Sequence, residues 1–225
     1  MAPHDDVVFL FDVDNTLLDN DLIVDDLRRH IEKQFGARSR HHYFAIFEAL
    51  RAELGYADYL GALQRYRLED QCDPRLLMIS SFLVDYPFAD RLYPDALSVL
   101  EHARTGGTTV ILSDGDAVFQ PRKVQRSGLW DVVEGRVLIF IHKERMLAEV
   151  ERFYPARHYV MVDDKVRILA AMKEVWRDRL TTVFPRQGHY ALDPGNIASY
   201  PRPDIAIERI GDLVDFDLPS LPGGA

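Results

Sequence analysis

Two closely spaced carboxylates near the start of the chain have the residue types and spacing for metal or phosphate chemistry. Asp12 and Asp14 directly follow a run of valine, phenylalanine and leucine. Side chains alternate along an extended segment, so both carboxylates can face one crevice, where they would attract a hard cation. A turn rich in Asp and Asn is the alternative interpretation. A calcium loop is excluded, because Leu17 stands where that loop needs glycine and Ile23 where it needs glutamate.

A hydroxyl and a glycine follow a second apolar run. Ser113 leads into Asp114 and Gly115, where the hydroxyl and free backbone N–H groups could hold phosphate oxygens. The alternative is a plain helix start with Asp116 as its N-cap.

Paired acids and a lysine complete the set of candidate residues. Asp163 and Asp164 directly follow a third apolar run, and adjacent acids at a buried strand end repel one another unless a cation or hydrogen bonds compensate. Lys143 lies at another predicted boundary, where a solvated surface lysine is the alternative. Three of the four groups follow apolar runs, so the predicted elements should bring these groups together.

The apolar runs that precede these groups predict strands, and helical patterns alternate with them. Short runs at 7–13, 108–112, 158–162 and 180–184 are typical of buried parallel strands. Helices are predicted over 94–104, with Pro94 at the first position, and over 166–176. Between 17 and 92 we find helical patterns, such as 43–54 and 56–67, and no convincing strand. We therefore predict a Rossmann-like α/β core (1–16 and 93–225) with helices on both faces of a parallel sheet. Residues 17–92 are predicted to form an all-helical cap, which we call the helical insertion.

The bulk composition restricts partners and compartment. The chain has 225 residues, 47% of them hydrophobic, and a formal charge of −9, so neither nucleic acid nor an anionic membrane is an expected partner. No apolar stretch approaches the roughly 18 residues that span a bilayer. Cys72 cannot pair within its own chain, which favours a reducing, cytoplasmic location. We expect a monomer or homodimer, with a frayed tail from Leu218 onward.

The order and types of these residues resemble the four motifs of the haloacid dehalogenase superfamily over nearly the whole chain. The matching positions are Asp12, Asp14 and Thr16, then Ser113, then Lys143, then Asp163 and Asp164. The helical insertion resembles the small helical cap of one large branch. The chain departs from relatives in three ways: Asp114 replaces a neutral residue, no proline follows Lys143, and the last motif reads Asp-Asp-Lys.

The resemblance implies a role for each matching residue. Asp12 would attack phosphorus, and Asp14 would protonate the leaving oxygen and then activate water. Lys143 and Ser113 would hold the phosphoryl group, with Asp114 and Gly115 beside it. The carboxylate of Asp114 would have to point away from the phosphate or be offset.

The resemblance also implies a Mg²⁺ ion and a loop-orienting threonine. The ion would bind the Asp12 carboxylate, the Asp14 backbone carbonyl and Asp164. Asp163 would act through water or support the ligands, and Thr16 would orient the loop.

The implied function is a Mg²⁺-dependent phosphatase that acts on a small phosphorylated metabolite. A phosphomutase of the same superfamily and a non-catalytic binding protein with this fold are the alternatives. Dehalogenases of the superfamily lack the second acid of the first motif and need no metal, so Asp14 argues against that activity. In receiver domains the paired acids precede the phosphorylated aspartate, which is the reverse of the order here.

Substrate selectivity is expected to reside in the helical insertion, and one late loop either borders the entrance to the site or lies on the surface without a role. Residues 38–43 are predicted to form a basic, solvated loop between helices, and Arg38 and Arg40 are its candidates for contacting a substrate anion. His189 and Tyr190 could line the entrance to the site. Sugar phosphates, phosphoglycolate-like acids and nucleoside monophosphates all fit these features.

Overall fold

The structure of the protein is a computed structural model, which describes residues 6–69 and 73–218. Cys72 and the tail beyond Leu218 lie outside the described residues. Leu218 itself was predicted to begin a frayed tail, but it is buried against the apolar core.

Six parallel strands of the described residues form one sheet, in the order β3-β2-β1-β4-β5-β6. They are short and rich in valine, isoleucine, leucine and phenylalanine, as expected where helices cover both faces. Their bounds are β1 (Val7–Phe11), β2 (Thr108–Asp114), β3 (Val137–Phe140), β4 (His158–Val162), β5 (Leu180–Pro185) and β6 (Ile205–Ile207). The predicted strands are confirmed. β3 and β6 were not predicted, because runs of four and three residues show too little pattern.

Helices pack on both faces of this sheet. Alternate side chains of β1 enter different apolar clusters: Phe9 and Phe11 pack with the helix Ala96–Gly106 and the helical insertion, whereas Val8 and Leu10 pack with the helices Leu147–Phe153 and Val166–Trp176. The core helices are α5 (Ala96–Gly106), α6 (Phe119–Arg126), α7 (Leu129–Val132), α8 (Leu147–Phe153), α9 (Val166–Trp176), α10 (Gly188–Ala191) and α11 (Pro194–Ala198). The Rossmann-like α/β prediction is confirmed.

One predicted helix start was wrong. α5 begins at Ala96, not at Pro94, because Asp95 takes a left-handed conformation with φ 64° that interrupts the helix before it.

The chain between β1 and β2 is helical. It contains α1 (Asn20–Phe35), α2 (Ala37–Leu54), α3 (Tyr59–Glu69), α4 (Leu76–Asp85) and a 3₁₀ turn (Phe88–Arg91). The loop predicted at 38–43 does not exist, because the chain turns at the single residue Gly36. Its φ of 89° ends α1 and allows α2 to begin at the next residue. None of the helices in the described part of the chain is long and apolar enough to cross a bilayer.

Candidate active site

The candidate residues predicted from the sequence meet at the carboxyl edge of the sheet. Asp12 follows β1, Ser113 lies near the end of β2, and Asp163 follows β4. Lys143 begins a short 3₁₀ turn after β3, so it also follows a strand. The backbone N–H of Asp12 donates to the carbonyl of Val162 at 3.0 Å, which fixes the ends of β1 and β4 beside each other.

Lys143 is the cation at the centre of this edge, and its side chain is 0% exposed. Its ammonium lies 2.5 Å from Asp12 Oδ1 and 2.7 Å from Asp163 Oδ2, and it donates to the carbonyl of Leu112 at 3.2 Å. Burial disfavours the charged ammonium, but Asp12 and Asp163 outweigh that effect and raise the Lys143 pKa. Lys143 is therefore a fixed positive charge within the site, not a surface lysine.

Asp12, Asp163 and Asp164 form a cluster of three buried carboxylates, each offering an oxygen within 4.8 Å of the others. Burial opposes ionisation of Asp12, but the ammonium of Lys143 outweighs it and lowers the Asp12 pKa. Burial raises the pKa of Asp163 to about 6 and that of Asp164 well above its usual range. When ionised, the three carboxylates exceed the two ammonium groups that face them, those of Lys143 and Lys165.

Within the described part of the chain, Asp164 lacks the hydrogen-bond donors that a buried carboxylate needs. Its side chain is buried, and neither carboxylate oxygen accepts a hydrogen bond from any described residue. A buried carboxylate without donors is costly unless a cation approaches it. Mg²⁺ prefers oxygen ligands and uses few carboxylates, so the donor set of Asp12 and Asp164, with Asp163 beside them, fits that ion.

Two hydroxyls hold the surroundings of Asp12. Thr16 Oγ1 lies 3.4 Å from Asp12 Oδ2 and accepts the backbone N–H of Asp164 at 3.0 Å, so it joins the first and last motifs. Ser113 Oγ lies 3.4 Å from Asp12 Oδ1 and accepts from the buried side-chain amide of Gln120 at 2.9 Å.

Asp114 and Gly115 do not present the groups expected for phosphate binding. Asp114 Oδ1 accepts the backbone N–H of Lys143 at 2.7 Å, so this carboxylate holds the lysine-bearing turn in place. The N–H of Gly115 donates to the carbonyl of Phe140 at 3.0 Å and is not free. A Cβ at Gly115 would lie 2.6 Å from the Cβ of Gln120, so the glycine serves close packing against α6.

Asp14 is held by a lysine that the sequence did not single out. Lys123, on α6, donates from Nζ to Asp14 Oδ1 at 2.6 Å and to Asn20 Oδ1 at 3.0 Å. α6 buries Phe119, Gln120, Lys123 and Val124 on one face. Gln120 and Lys123 are polar residues three positions apart on the buried face of this helix. That spacing could have indicated a functional role, but only after the position of the helix in the fold was known.

A cavity of about 610 Å³ opens onto this edge and is lined by both the core and the helical insertion. Lys165, His189 and Tyr190 line it from the core, with Lys165 Nζ 5.3 Å from the centre of the Tyr190 ring. Burial disfavours the Lys165 ammonium, but Asp164 and the neighbouring acids raise its pKa.

The insertion contributes different arginines from those expected. Arg28 and Arg51 line the cavity, whereas Arg38 and Arg40 do not. Arg40 instead pairs with Glu32 at 2.6 Å on the outer surface. The assignment of Arg38 and Arg40 to a substrate-facing loop was wrong because that loop is the first part of a helix.

The chain is similar to a known protein family and to several solved structures. Residues 7–175 match the family described as haloacid dehalogenase-like hydrolase. A crystal structure of a haloacid dehalogenase-like hydrolase from Burkholderia xenovorans has 68% sequence identity and a TM-score of 0.90, covering 94% of this chain and 96% of that one. No curated protein matches the chain.

More distant structures share the fold. The L-2-haloacid dehalogenase from Xanthobacter autotrophicus, with chloropropionic acid covalently bound, has 20% identity and a TM-score of 0.62, covering 97% of this chain and 99% of that one. A hydrolase of the same superfamily from Bacillus subtilis, bound to magnesium, has 15% identity and a TM-score of 0.62, covering 94% and 99%.

Proposed function

We propose that this chain, which belongs to the haloacid dehalogenase-like hydrolases, is a Mg²⁺-dependent phosphatase that uses Asp12 to take a phosphoryl group from a small phosphorylated metabolite. The observation that supports phosphoryl transfer over dehalogenation is Asp164, whose two buried oxygens lack hydrogen-bond donors beside Asp12 and Asp163. Attack on a carbon–halogen bond needs one carboxylate nucleophile and no cation. A cluster with surplus negative charge suits a reaction that brings a divalent ion and a phosphate together.

In the first half-reaction an Asp12 oxygen bonds to phosphorus while the bond from phosphorus to the leaving oxygen breaks. Asp14 gives its proton to that oxygen, and an aspartyl phosphate remains. Water then attacks phosphorus, Asp14 takes a proton from the water, and the bond to Asp12 breaks to release phosphate. Asp14 lies two residues beyond Asp12 and lines the cavity, so it can reach a bound ester.

Lys143 and Ser113 support these steps through their contacts with Asp12. The ammonium at 2.5 Å keeps the nucleophile ionised and can donate hydrogen bonds to the transferring phosphoryl oxygens. Mg²⁺ bound by Asp12, Asp164 and the Asp14 backbone carbonyl would offset the charge that accumulates on the phosphoryl oxygens.

The test is a release assay on purified protein with two panels of substrates. Phosphate release is measured from sugar phosphates, short phosphorylated acids, nucleoside monophosphates and p-nitrophenyl phosphate, and halide release from 2-halo acids. Each is run with Mg²⁺, with Ca²⁺ and with EDTA. We expect phosphate release with Mg²⁺ only, and inhibition by Ca²⁺, whose looser and higher coordination should misplace the Asp12 oxygen. Halide release that persists in EDTA, without phosphate release, would overturn the proposal.

Metal binding has a separate readout that does not depend on turnover. Mg²⁺ at about 100 times its dissociation constant should stabilise the fold by roughly 2.7 kcal/mol. The melting temperature of the wild type should therefore rise with Mg²⁺, and that of Asp164→Asn should rise much less. Equal shifts in the two proteins would place the ion elsewhere.

A further inference from the structure

Lys123 is a buried lysine outside the four motifs. Its side chain is 1% exposed, and its ammonium bonds Asp14 Oδ1 and Asn20 Oδ1. The ammonium also lies 5.0 Å from the centre of the Phe119 ring. A buried lysine is costly unless a partner compensates its charge, and Asp14 is the carboxylate that does so here.

The partners of Lys123 belong to two parts of the molecule. Asp14 lies in the loop after β1, and Asn20 is the first residue of α1. Tyr59, which is buried in α3, packs on Phe119 with ring centres 5.4 Å apart, so it lies on the same aromatic ring as the Lys123 ammonium. One ammonium therefore joins the loop after β1 to the first helix of the insertion.

We propose that Lys123 is a positioning residue for Asp14, and that it sets which oxygen of this carboxylate can exchange a proton with a ligand. The proposal rests on the proposed function, because it assigns Lys123 a role in the acid and base steps of that reaction. Lys123 donates a hydrogen bond to Oδ1 of Asp14, whereas Oδ2 accepts none from any described residue. The carboxylate is 25% exposed and lines the cavity, so Oδ2 is the oxygen left for proton transfer.

Removal of Lys123 should therefore reproduce part of the Asp14 defect. Proton transfer requires the acid to lie within hydrogen-bond reach of the leaving oxygen. Without the ammonium, the Asp14 side chain can rotate, and esters with poor leaving groups should suffer most. Lys123 borders the cavity, but its side chain is 1% exposed and its ammonium is bonded to Asp14 and Asn20, so we expect it to act on the substrate through Asp14.

The experiment is a double-mutant cycle of Lys123→Met and Asp14→Asn, assayed on an alkyl phosphate and on p-nitrophenyl phosphate. Lys123→Met should lower kcat on the alkyl ester by roughly 10-fold or more, a part of the 10²- to 10⁴-fold that acid–base assistance supplies. The first-step loss on the aryl ester should be smaller. In the Asp14→Asn background, Lys123→Met should change either rate by less than about twofold, because residues that act through one another are not additive.

A matched control makes the same substitution at a distant ion pair. Lys173 on α9 pairs with Asp204 at 2.8 Å, and its side chain is 37% exposed, so Lys173→Met should leave the ratio of alkyl to aryl activity unchanged. If Lys123→Met does not fold, Lys123→Gln fills most of the same space with a polar side chain that is shorter and uncharged, and it should show the same bias against alkyl esters. Equal losses in the first-step rate on both esters, or additive losses in the cycle, would overturn the proposal.

A crystal structure of the variant gives a readout without turnover. We expect the Asp14 carboxylate to leave its position in Lys123→Met, and an unchanged carboxylate would overturn the positioning role whatever the activity. A raised KM with unchanged kcat would overturn it as well, since it would indicate direct contact with substrate. A wild type that hydrolyses no phosphate ester contradicts the proposed function alone, and the crystal structure then still decides whether Lys123 positions Asp14.

Discussion

The two walls of the cavity differ in how their charges are held. Behind the core wall, Asp12, Asp163 and Lys143 are buried, and the Lys143 ammonium lies 2.5 Å from Asp12 and 2.7 Å from Asp163. On the wall formed by the helical insertion, Arg28 pairs with Asp25 at 2.9 Å, but both side chains are 48% exposed. Buried charges in a fixed arrangement act strongly on a reacting group, whereas solvated pairs contribute little each. We therefore expect the core wall to carry the chemistry and the insertion wall to select the substrate.

The largest effect should come from the core wall, at Asp12. Asp12→Asn replaces a carboxylate nucleophile by a neutral amide, which cannot form an aspartyl phosphate, so phosphate release should fall below detection. The fold should persist, because the change removes one negative charge from a crowded acidic cluster. Phosphate release and circular dichroism measure the two expectations.

Asp131→Asn is the matched control for this substitution, since Asp131 is an exposed carboxylate on α7 that does not line the cavity. It should keep wild-type turnover. Activity of Asp12→Asn near the wild-type rate would make Asp12 a structural residue.

The next largest effect should come from Asp14. Asp14→Asn should lose about 10²- to 10⁴-fold on alkyl phosphates, whose alkoxide must be protonated as it leaves. The aryl ester should lose less in the first step, because p-nitrophenolate is a weak base. Hydrolysis of the aspartyl phosphate needs the base with either substrate, so the second step should become limiting.

Rapid-mix absorbance should then show a burst of nitrophenol approaching one equivalent per site, and intact mass should show a phosphoryl adduct. No burst, no adduct and equal losses on both esters would mean that Asp14 only shapes the metal site.

Positions that depend on strand ends were predictable from the sequence, and positions that depend on helix packing were not. Asp12, Ser113 and Asp163 each follow an apolar run, and a parallel sheet brings the ends of such runs to one edge. Lys123 comes close to Asp14 only because α6 packs beside the loop after β1. That contact joins residues 109 positions apart, and no local pattern records it.

In the helical insertion, too, the sequence predicted the helices but not how they are connected. Its helical character was visible in the periodicity, but the chain turn at Gly36 depends on one backbone angle. Without that turn, residues 38–43 read as a basic loop, and the arginines of α1 and α2 that face the cavity could not be separated from those that do not. The boundaries of the insertion as a separate domain, at 17 and 92, stay a prediction.

The insertion wall should affect selection more than chemistry. Arg51 lies 3.5 Å from Glu48 in an exposed pair and lines the cavity. Arg51→Ala should raise KM for anionic metabolites by roughly 2- to 5-fold and leave kcat on p-nitrophenyl phosphate within about twofold, because a solvated charge contributes about 1 kcal/mol or less. Steady-state kinetics over the substrate panel measure both.

Arg40→Ala is the matched control, because Arg40 pairs with Glu32 outside the cavity. It should leave the order of substrates unchanged. If Arg51→Ala lowers kcat on every ester equally, the insertion takes part in catalysis or folding and the division between the two walls fails.

The smallest effect on turnover should come from Asp26, which attaches α1 to the end of the insertion. Its carboxylate accepts a hydrogen bond from the hydroxyl of Tyr86 and one from Arg91 Nη2 at 2.7 Å. Partial burial raises its pKa, but the hydrogen bonds from Tyr86 and Arg91 outweigh that effect and lower it to about 2. Because the folded pKa lies below the unfolded value of about 3.9, Asp26 stabilises the fold above pH 4, and this contribution disappears as the pH falls through about 2.

Asp26→Asn should therefore lower the free energy of unfolding by about 1 to 2 kcal/mol at pH 7, after allowance for solvent around the pair. Urea denaturation of the variant and the wild type should give curves that converge between pH 4 and 2. Asp25→Asn is the control, since Asp25 is the next residue and pairs only with exposed Arg28, so its change should be smaller and less dependent on pH. Because neither residue touches Asp12 or its neighbours, turnover of p-nitrophenyl phosphate at pH 7 should stay within about twofold of wild type. A loss of turnover with Asp26→Asn at a temperature where the variant stays folded would show that the attachment of the insertion controls the chemistry of the core wall.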